Sequence, residues 1–591
     1  MSPILEQPPP ALDEGRNSSI FAVDFQGRWL LFGFRLLAIA LGALHTWAAV
    51  KSYSMNEDGI AYLDIGDAYM RGEWQTAVSS VWSPLYPFLL GLALNVLKPS
   101  MRWEFPMVHL LNFVIYVIAF VCFEFFWRQL RRCRDNRITD ASDAQVKLPE
   151  WAFEAFGYSL FIWSSLGLIE IWAVTPDMLM AALVYLAAGL LMRIRLGAGW
   201  NAFVWLGVVL GLGYLTKTIM FPVALAFLGI SLFSVPNPQR AIRPILLSLV
   251  IFLVLSAPFI AVISLAKDHF TLGDAGKLTY VRYVNGVRYP HWQGDPPGNG
   301  TPKHPSRKIL DSPPIYEFGT PIGGTYPISR DPSYWYEGVV VRFDFWQQLR
   351  LLMSSALFYL DLFGHRQAGL LVGVVILYLM MRWQPLGPMD VLRDWGLVIL
   401  ALLVLGAYGL VYVEGRYVGV FVVLLWSDLL AGVRLPDSQT SRKWVSCVSL
   451  AMVLFMLAEI VSFNLEGAGA LARRSDAIQQ AKGKDSASWP GEVAEELQKV
   501  GIRPGDKVAI IGDAFVAFWA RLARVQIVAE MFGWEADPFW LGDSETQQSV
   551  IRAFTSSGAR AIVADSVPDR TSLAGWRRLG STGHFVYLLG P

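Results

Sequence analysis

Apolar runs separated by short polar breaks fill the chain from about residue 30 to residue 465, and they predict α-helices long enough to enter a membrane. The runs are Leu36–Ser54, Val108–Trp127, Ala152–Ala173, Met178–Met192, Phe203–Thr216, Thr218–Phe233, Pro244–Leu265, Ala368–Met381, Trp395–Tyr412, Val418–Leu430 and Trp444–Phe463. Trp82–Val96 is also apolar, but Pro84 and Pro87 break it and it falls short of the ~20 residues a crossing needs, so an interfacial or re-entrant helix is expected there. Trp346–Phe363 is expected to be interfacial too, which keeps the charge pattern of the flanking loops in phase. The pattern predicts a polytopic α-helical membrane protein with about 11 transmembrane helices plus interfacial helices.

After residue 465 the pattern changes. Pro504-Gly505-Asp506 leads into Val508–Ile511, and a helical stretch, Gln526–Ala529, another helix and Ala561–Ala564 follow. Such alternation predicts a soluble α/β domain over 466–591. No GxGxxG follows its first strand, which speaks against nucleotide binding.

Charge sets the sidedness. Arg128, Arg131, Arg132, Arg134 and Arg137 form the densest basic run, and Arg193, Arg195, Arg240, Arg243, Arg382, Arg393, Arg434, Arg442 and Lys443 recur at alternate breaks. The positive-inside rule puts these in the cytoplasm, together with a leader over 1–28. The catalytic-type loops 51–107 and 267–367 and the C-terminal domain then lie outside, with 29–465 forming the membrane domain. The second loop carries ten prolines between Tyr289 and Tyr336 and many Tyr, Trp and His residues, as expected of a functional lid. The setting expected is a bacterial inner membrane, multi-pass, with the N-terminus cytoplasmic and the C-terminal domain periplasmic.

Composition narrows the classes. The 591 residues are 54% hydrophobic and 16% charged, with a formal net charge of +1, which fits membrane lipids as surroundings and excludes a general nucleic-acid role. Cys122, Cys133 and Cys447 have no paired spacing, so neither a disulfide framework nor a thiolate metal site is expected. His45 reads as a packed, hydrogen-bonded helix residue. His269, His291, His304 and His365 are too dispersed for a metal site.

Four charged groups fall on the outer side: Asp58 in Asn56-Glu57-Asp58-Gly59, Asp177 after Thr175-Pro176, Lys217 at the apex of a short helical pair, and Arg416 in Glu414-Gly415-Arg416-Tyr417. Carboxylates beside a guanidinium and an ammonium suit sugar transfer from a phosphate leaving group. An acid takes the acceptor's proton and the cations hold the growing phosphate charge. Each has a plainer alternative: helix capping for Asp58 and Asp177, solvation for Asp64 and Asp67, snorkelling for Lys217, and a clasp between Arg416 and Glu414.

Asp58 through Tyr62, Ser83-Pro84-Leu85-Tyr86-Pro87, Thr175-Pro176-Asp177, Tyr214-Leu215-Thr216-Lys217 and Arg416-Tyr417 together resemble the GT-C superfamily of membrane glycosyltransferases, over about residues 25–465. The resemblance implies a GT-C-like fold and an inverting enzyme with a polyprenyl-phosphate-linked sugar donor and a lipid, glycan or protein acceptor. It implies catalytic roles for Asp58 and Asp177, and donor-phosphate binding by Lys217 and Arg416 with Tyr417 and Tyr62 beside them. Many relatives carry an Asp-Glu pair in this loop, whereas here Glu57 precedes Asp58 and Gly59 follows it, which weighs against a two-carboxylate mechanism with Glu57; Asp58 is the better match by its register with Tyr62. No cofactor is assigned; relatives exist with and without a divalent metal, and the ligands here do not choose. A secondary transporter or lipid flippase, and a scaffold with an outer partner-binding domain, are the competing readings; ionisable groups at one surface, not at the midplane, weigh against the transporter.

Overall fold

The computed structural model describes residues 14–139, 145–235, 238–319, 323–381, 388–480, 489–568 and 574–590. Residues 1–13 of the expected leader, and Arg382, lie outside these. Among the described residues, six helices are long and apolar enough to cross a membrane: Trp29–Ser52, Met101–Asn136, Asp177–Arg195, Pro238–Ala266, Gly415–Gly432 and Gln439–Leu465. A seventh is reached if Phe345–Arg366 and Ala368–Leu379, bent by 79° at their junction, form one broken span.

The expected count of about 11 is therefore not reached by length and composition. Leu85–Leu97, Trp200–Thr216, Met220–Phe233 and Gly396–Gly409 are apolar but shorter. The run expected over 152–173 ends early as well: its α-helix, Glu150–Trp163, passes into a wide turn at Ser164–Leu168 before Glu170 leaves with φ +61°. Fourteen residues rise only ~21 Å, less than the ~30 Å of a bilayer core.

An aromatic core joins the long helices. Phe123 meets Phe161 at 5.0 Å and Tyr185 edge-on at 5.5 Å, and Trp127 stacks on Phe153 at 4.4 Å. At one end of this bundle, Arg35 and two arginines of the basic run are paired with acids: Glu124 takes Arg35 at 2.8 Å and Arg128 at 3.1 Å, and Glu154 takes Arg131 at 2.8 Å. His45 hydrogen-bonds Asn464 at 3.0 Å and stacks on Phe463, so it is a packed helix residue as the sequence indicated.

The acidic stretch stands at the other end, and it is a helix, Glu57–Met70, within what was expected as the outer loop 51–107. It crosses the helix Leu85–Leu97 backbone to backbone. A Cβ added to Gly66 would lie 2.6 Å from the Pro87 carbonyl and 2.9 Å from the Gly91 nitrogen. Only a residue without a side chain permits that approach.

The polar end is closed by a seven-stranded sheet whose strands come from two distant segments. The 267–345 segment supplies β1 (Arg307–Asp311) and β2 (Pro314–Glu317). The C-terminal segment supplies β3 (Lys507–Gly512), β4 (Gln526–Phe532), β5 (Ala561–Ala564), β6 (Trp576–Arg578) and β7 (Phe585–Leu588). The spatial order is β1-β2-β4-β3-β5-β7-β6. β3 runs parallel to β4 and β5; the other neighbours are antiparallel, and Tyr316 of β2 faces Glu530 of β4.

A buried lock secures that seam. Glu530 is held by His291 and by the Tyr326 hydroxyl at 2.6 Å, His291 meets Ser306 at 2.8 Å, and the His291 ring stacks on Tyr316 at 4.1 Å. Ser306, His291 and Glu530 are all buried, so this trio fastens the two segments instead of facing a substrate.

Candidate functional site

The helix Glu57–Met70 starts where Asn56 turns extended, at φ −121° and ψ 162°. Asn56 does not cap its own helix. Its side-chain oxygen accepts the Val174 N–H at 2.7 Å, while its amide donates to the Val174 carbonyl at 3.5 Å. Gly59 lets the two segments touch, since a Cβ there would come within 3.0 Å of Val174. Three residues past Val174 lies Asp177, the first residue of the helix Asp177–Arg195 and 1% exposed. One side chain thus ties the two carboxylate-bearing segments together. The first-turn acids Glu57 and Asp58 also sit where a helix dipole favours negative charge.

Lys217 occupies the break between Trp200–Thr216 and Met220–Phe233, in extended backbone. Its Nζ donates to Asp177 Oδ1 at 2.5 Å and lies 3.9 Å over the Tyr417 ring. Arg416 is the hub. Its Nη1 and Nη2 reach Asp58 Oδ2 at 3.3 and 3.4 Å, its Nε donates to Glu414 Oε2 at 3.0 Å, and the same Nε is 4.0 Å from Asp177 Oδ2. The structure therefore brings Asp58, Asp177, Lys217, Arg416 and Tyr417 into one cluster. Arg416 clasps Glu414 and Asp58 at once, so the clasp and the site coexist.

Tyr62 stands one turn beyond Asp58 and forms the floor. It is buried edge-on against Trp82 at 5.0 Å and Tyr86 at 5.2 Å. Tyr86 donates to Asn112 at 2.8 Å, and Asn112 to the Ala173 carbonyl at 3.2 Å, which links the floor to the Asp177 segment. No hydrogen bond joins Tyr62 to the cations among the described contacts.

Burial pushes the Asp58 carboxyl above its ordinary range; Arg416 pulls it back, and the negative charges of Glu414 and Asp177 push it up again. Three carboxylates face two cations, so the fully ionised cluster carries one surplus negative charge, with half-buried Glu170 nearby. A raised acid beside fixed cations matches general-base chemistry next to a phosphate. Asp58, Asp177 and Glu414 each already face a cation, and among the described residues no group of three or more His, Cys, Asp or Glu is arranged to hold a metal ion.

A roof of lid and C-terminal residues covers the acid end of the helix. Arg282 lies 4.5 Å over Tyr289, whose ring also packs on Phe515 and Tyr336, each at 5.4 Å. The charge of Arg282 is felt by Glu57. Sequence reading gave no role to Asn56, Arg282 or Phe515. It treated Asp64 and Asp67 as solvated, whereas Asp64 is buried and both pair with Arg521 of the C-terminal segment. The helical spacing of Asp64 and Asp67 was the available signal; nothing in the sequence named their partner.

No protein-family model and no curated protein matches the chain. Solved structures do resemble it. ArnT from Cupriavidus metallidurans bound to undecaprenyl phosphate is 11% identical with a TM-score of 0.49, over 95% of this chain and 99% of that one. The apo state of the same protein is 12% identical with a TM-score of 0.49. The Archaeoglobus fulgidus oligosaccharyltransferase tethered with an acceptor peptide is 10% identical with a TM-score of 0.43, over 90% of this chain and 69% of that one.

Proposed function

We propose that the chain is an inverting glycosyltransferase that moves a sugar from a polyprenyl-phosphate donor to an acceptor hydroxyl or amine on the outer face of the membrane. The observation that carries this reading is the hub: one guanidinium touches the base candidate Asp58 and lies beside Asp177, whose other oxygen holds Lys217.

The donor phosphate enters between Arg416 and Lys217 and takes N–H groups of the guanidinium and the ammonium that their carboxylate partners leave over. Guanidinium and ammonium both suit that anion, the first through its fork and the second as a point charge. Asp58 takes the proton from the acceptor nucleophile as that atom attacks the anomeric carbon. The new bond to the anomeric carbon forms as the bond to phosphate breaks, the electron pair leaves on polyprenyl phosphate, and the configuration inverts. The cations stabilise the charge that builds on the leaving oxygen. Asp177 orients Lys217, and the tyrosine floor excludes water from the reacting centre. Tyr417, beneath the Lys217 ammonium, holds that cation over its ring face.

Lipid extracts from cells lacking the gene test the reading. An accumulated polyprenyl-phosphate sugar, cleared on restoring the gene, is the expected result. An unchanged lipid-linked sugar pool, with uptake or flipping activity in liposomes, would favour the transporter reading instead.

A further inference from the structure

The helix Glu57–Met70 carries charge on two faces. Asp58 and Tyr62 look into the cation cluster, while Asp64 and Asp67, six and nine residues on, are turned from Asp58 by about 240° and 180° at ~100° per residue. That second face meets the C-terminal segment. Arg521, 3% exposed on the helix Phe518–Ala523, donates through Nη1 to Asp64 at 2.8 Å and lies 2.7 Å from Asp67. Through Nε it reaches Glu104 at 2.8 Å. Glu104 is the first residue of the long helix Glu104–Thr139. Arg524 adds bonds to Asp67 at 3.1 Å and Glu104 at 2.6 Å, and Thr325 of the lid donates to Asp64 through its N–H and its hydroxyl at 2.6 and 3.0 Å.

We propose that Arg521 is a positioning residue for Asp58: through one buried guanidinium the C-terminal domain fixes the roll of the acid helix against the membrane bundle, and so sets where Asp58 stands beside Arg416. Asn56 pins the end of that helix to Val174, and the Gly66 crossing and the Tyr62 ring hold one side of it by packing; Arg521 supplies the charged anchor on the opposite side. A roll of ~20° moves a carboxylate ~6 Å off the axis by about 2 Å. A displacement of about 1 Å at a reacting centre is enough for a ~100-fold loss of rate. Without Arg521, Asp64 and Glu104, both nearly fully buried, face each other and Asp67 with Arg524 as the remaining arginine, and their repulsion supplies the force for that roll. The α/β domain is on this account a working part of the catalytic unit.

The inference depends on the proposed transferase chemistry for its kinetic arm only. In full-length protein in detergent, Arg521→Gln is expected to lower kcat for sugar transfer at least tenfold with the donor KM within twofold, and Arg521→Lys to fall between that variant and wild type. Hydrogen exchange provides a second readout: amides of 57–70 should exchange at least tenfold faster in Arg521→Gln, with 177–195 and 415–432 unchanged. If that variant does not fold, Arg521→Gln combined with Glu104→Gln, which removes one facing charge, carries the same comparison. Wild-type kcat and wild-type exchange over 57–70 would overturn the proposal, as would equal acceleration in every helix. Local loosening of 57–70 in a protein that transfers no sugar from any lipid phosphate tried would support the positioning role and sink the transferase reading instead.

Discussion

Asn56 accepts the Val174 N–H at 2.7 Å, and this single side chain joins the segment that carries Asp58 to the segment that carries Asp177. Replacing it by Ala leaves a backbone donor without its partner, at a cost of about 1–3 kcal/mol, and frees the acid helix from its neighbour. Asn56→Ala is expected to lower the melting temperature and to reduce kcat for transfer more than donor KM. Asn56→Asp keeps the acceptor oxygen and should retain more of the stability. Thermal melts and initial rates on the two variants check both expectations; equal behaviour of Ala and Asp would contradict them.

Lys217 and Asp177 form a second test. Asp177 is 1% exposed and its Oδ1 is 2.5 Å from the Lys217 ammonium. Lys217→Gln leaves Asp177 with Arg416 at 4.0 Å as its remaining cation, and breaking a buried pair from one side costs up to about 3–5 kcal/mol. Adding Asp177→Asn removes that carboxylate's charge, so the double variant should regain most of the lost stability. Binding of the donor phosphate should not return with it, because the ammonium is still missing. A double variant that recovers both the melting temperature and the donor affinity would remove Lys217 from the phosphate site.

The meeting of Asp58, Asp177, Lys217 and Arg416 was expected because the basic breaks between apolar runs put all four on one side, and the structure does bring their side chains together. The acidic stretch was harder. It was read as part of an outer loop, yet it is a helix whose Gly59 and Gly66 abut Val174 and Gly91, so tertiary packing decided the element. The early end of Glu150–Trp163 was hidden for the opposite reason: the apolar run continues to Ala173 although the helix does not. The strand Pro314–Glu317 was missed because one of its partners, Gln526–Phe532, lies some two hundred residues away and no periodicity reports a pairing between segments so far apart; Arg307–Asp311 is the edge strand that pairs with Pro314–Glu317 alone. The ring of Asp64, Asp67 and Glu104 around Arg521 has the same character, a meeting of residues more than four hundred positions apart.

The pH dependence of transfer follows from the surroundings of Asp58. A base acts only when ionised, and burial first, then the charges of Glu414 and Asp177, raise its pKa. Activity is therefore full above that raised pKa and lost as pH falls through it, with the midpoint above the ~3.9 of an ordinary aspartate. Glu414→Gln deletes one of the charges that push it up while keeping an oxygen for the Arg416 Nε. The acid limb of the rate profile should then move to lower pH. A limb that stays put or moves upward would show that Asp58 is not the group titrating.

The account rests on Asp58 as the base, and Asp58→Asn isolates that claim because it keeps the side chain's shape and one oxygen for Arg416. Purified wild-type and variant proteins, matched in melting temperature, are to be compared for sugar transfer from the polyprenyl-phosphate donor that accumulates when the gene is absent. Loss of at least ~1,000-fold in kcat, with the donor still bound, is the predicted result, in line with removal of a catalytic base from a preorganised site. Transfer at the wild-type rate in Asp58→Asn would contradict it.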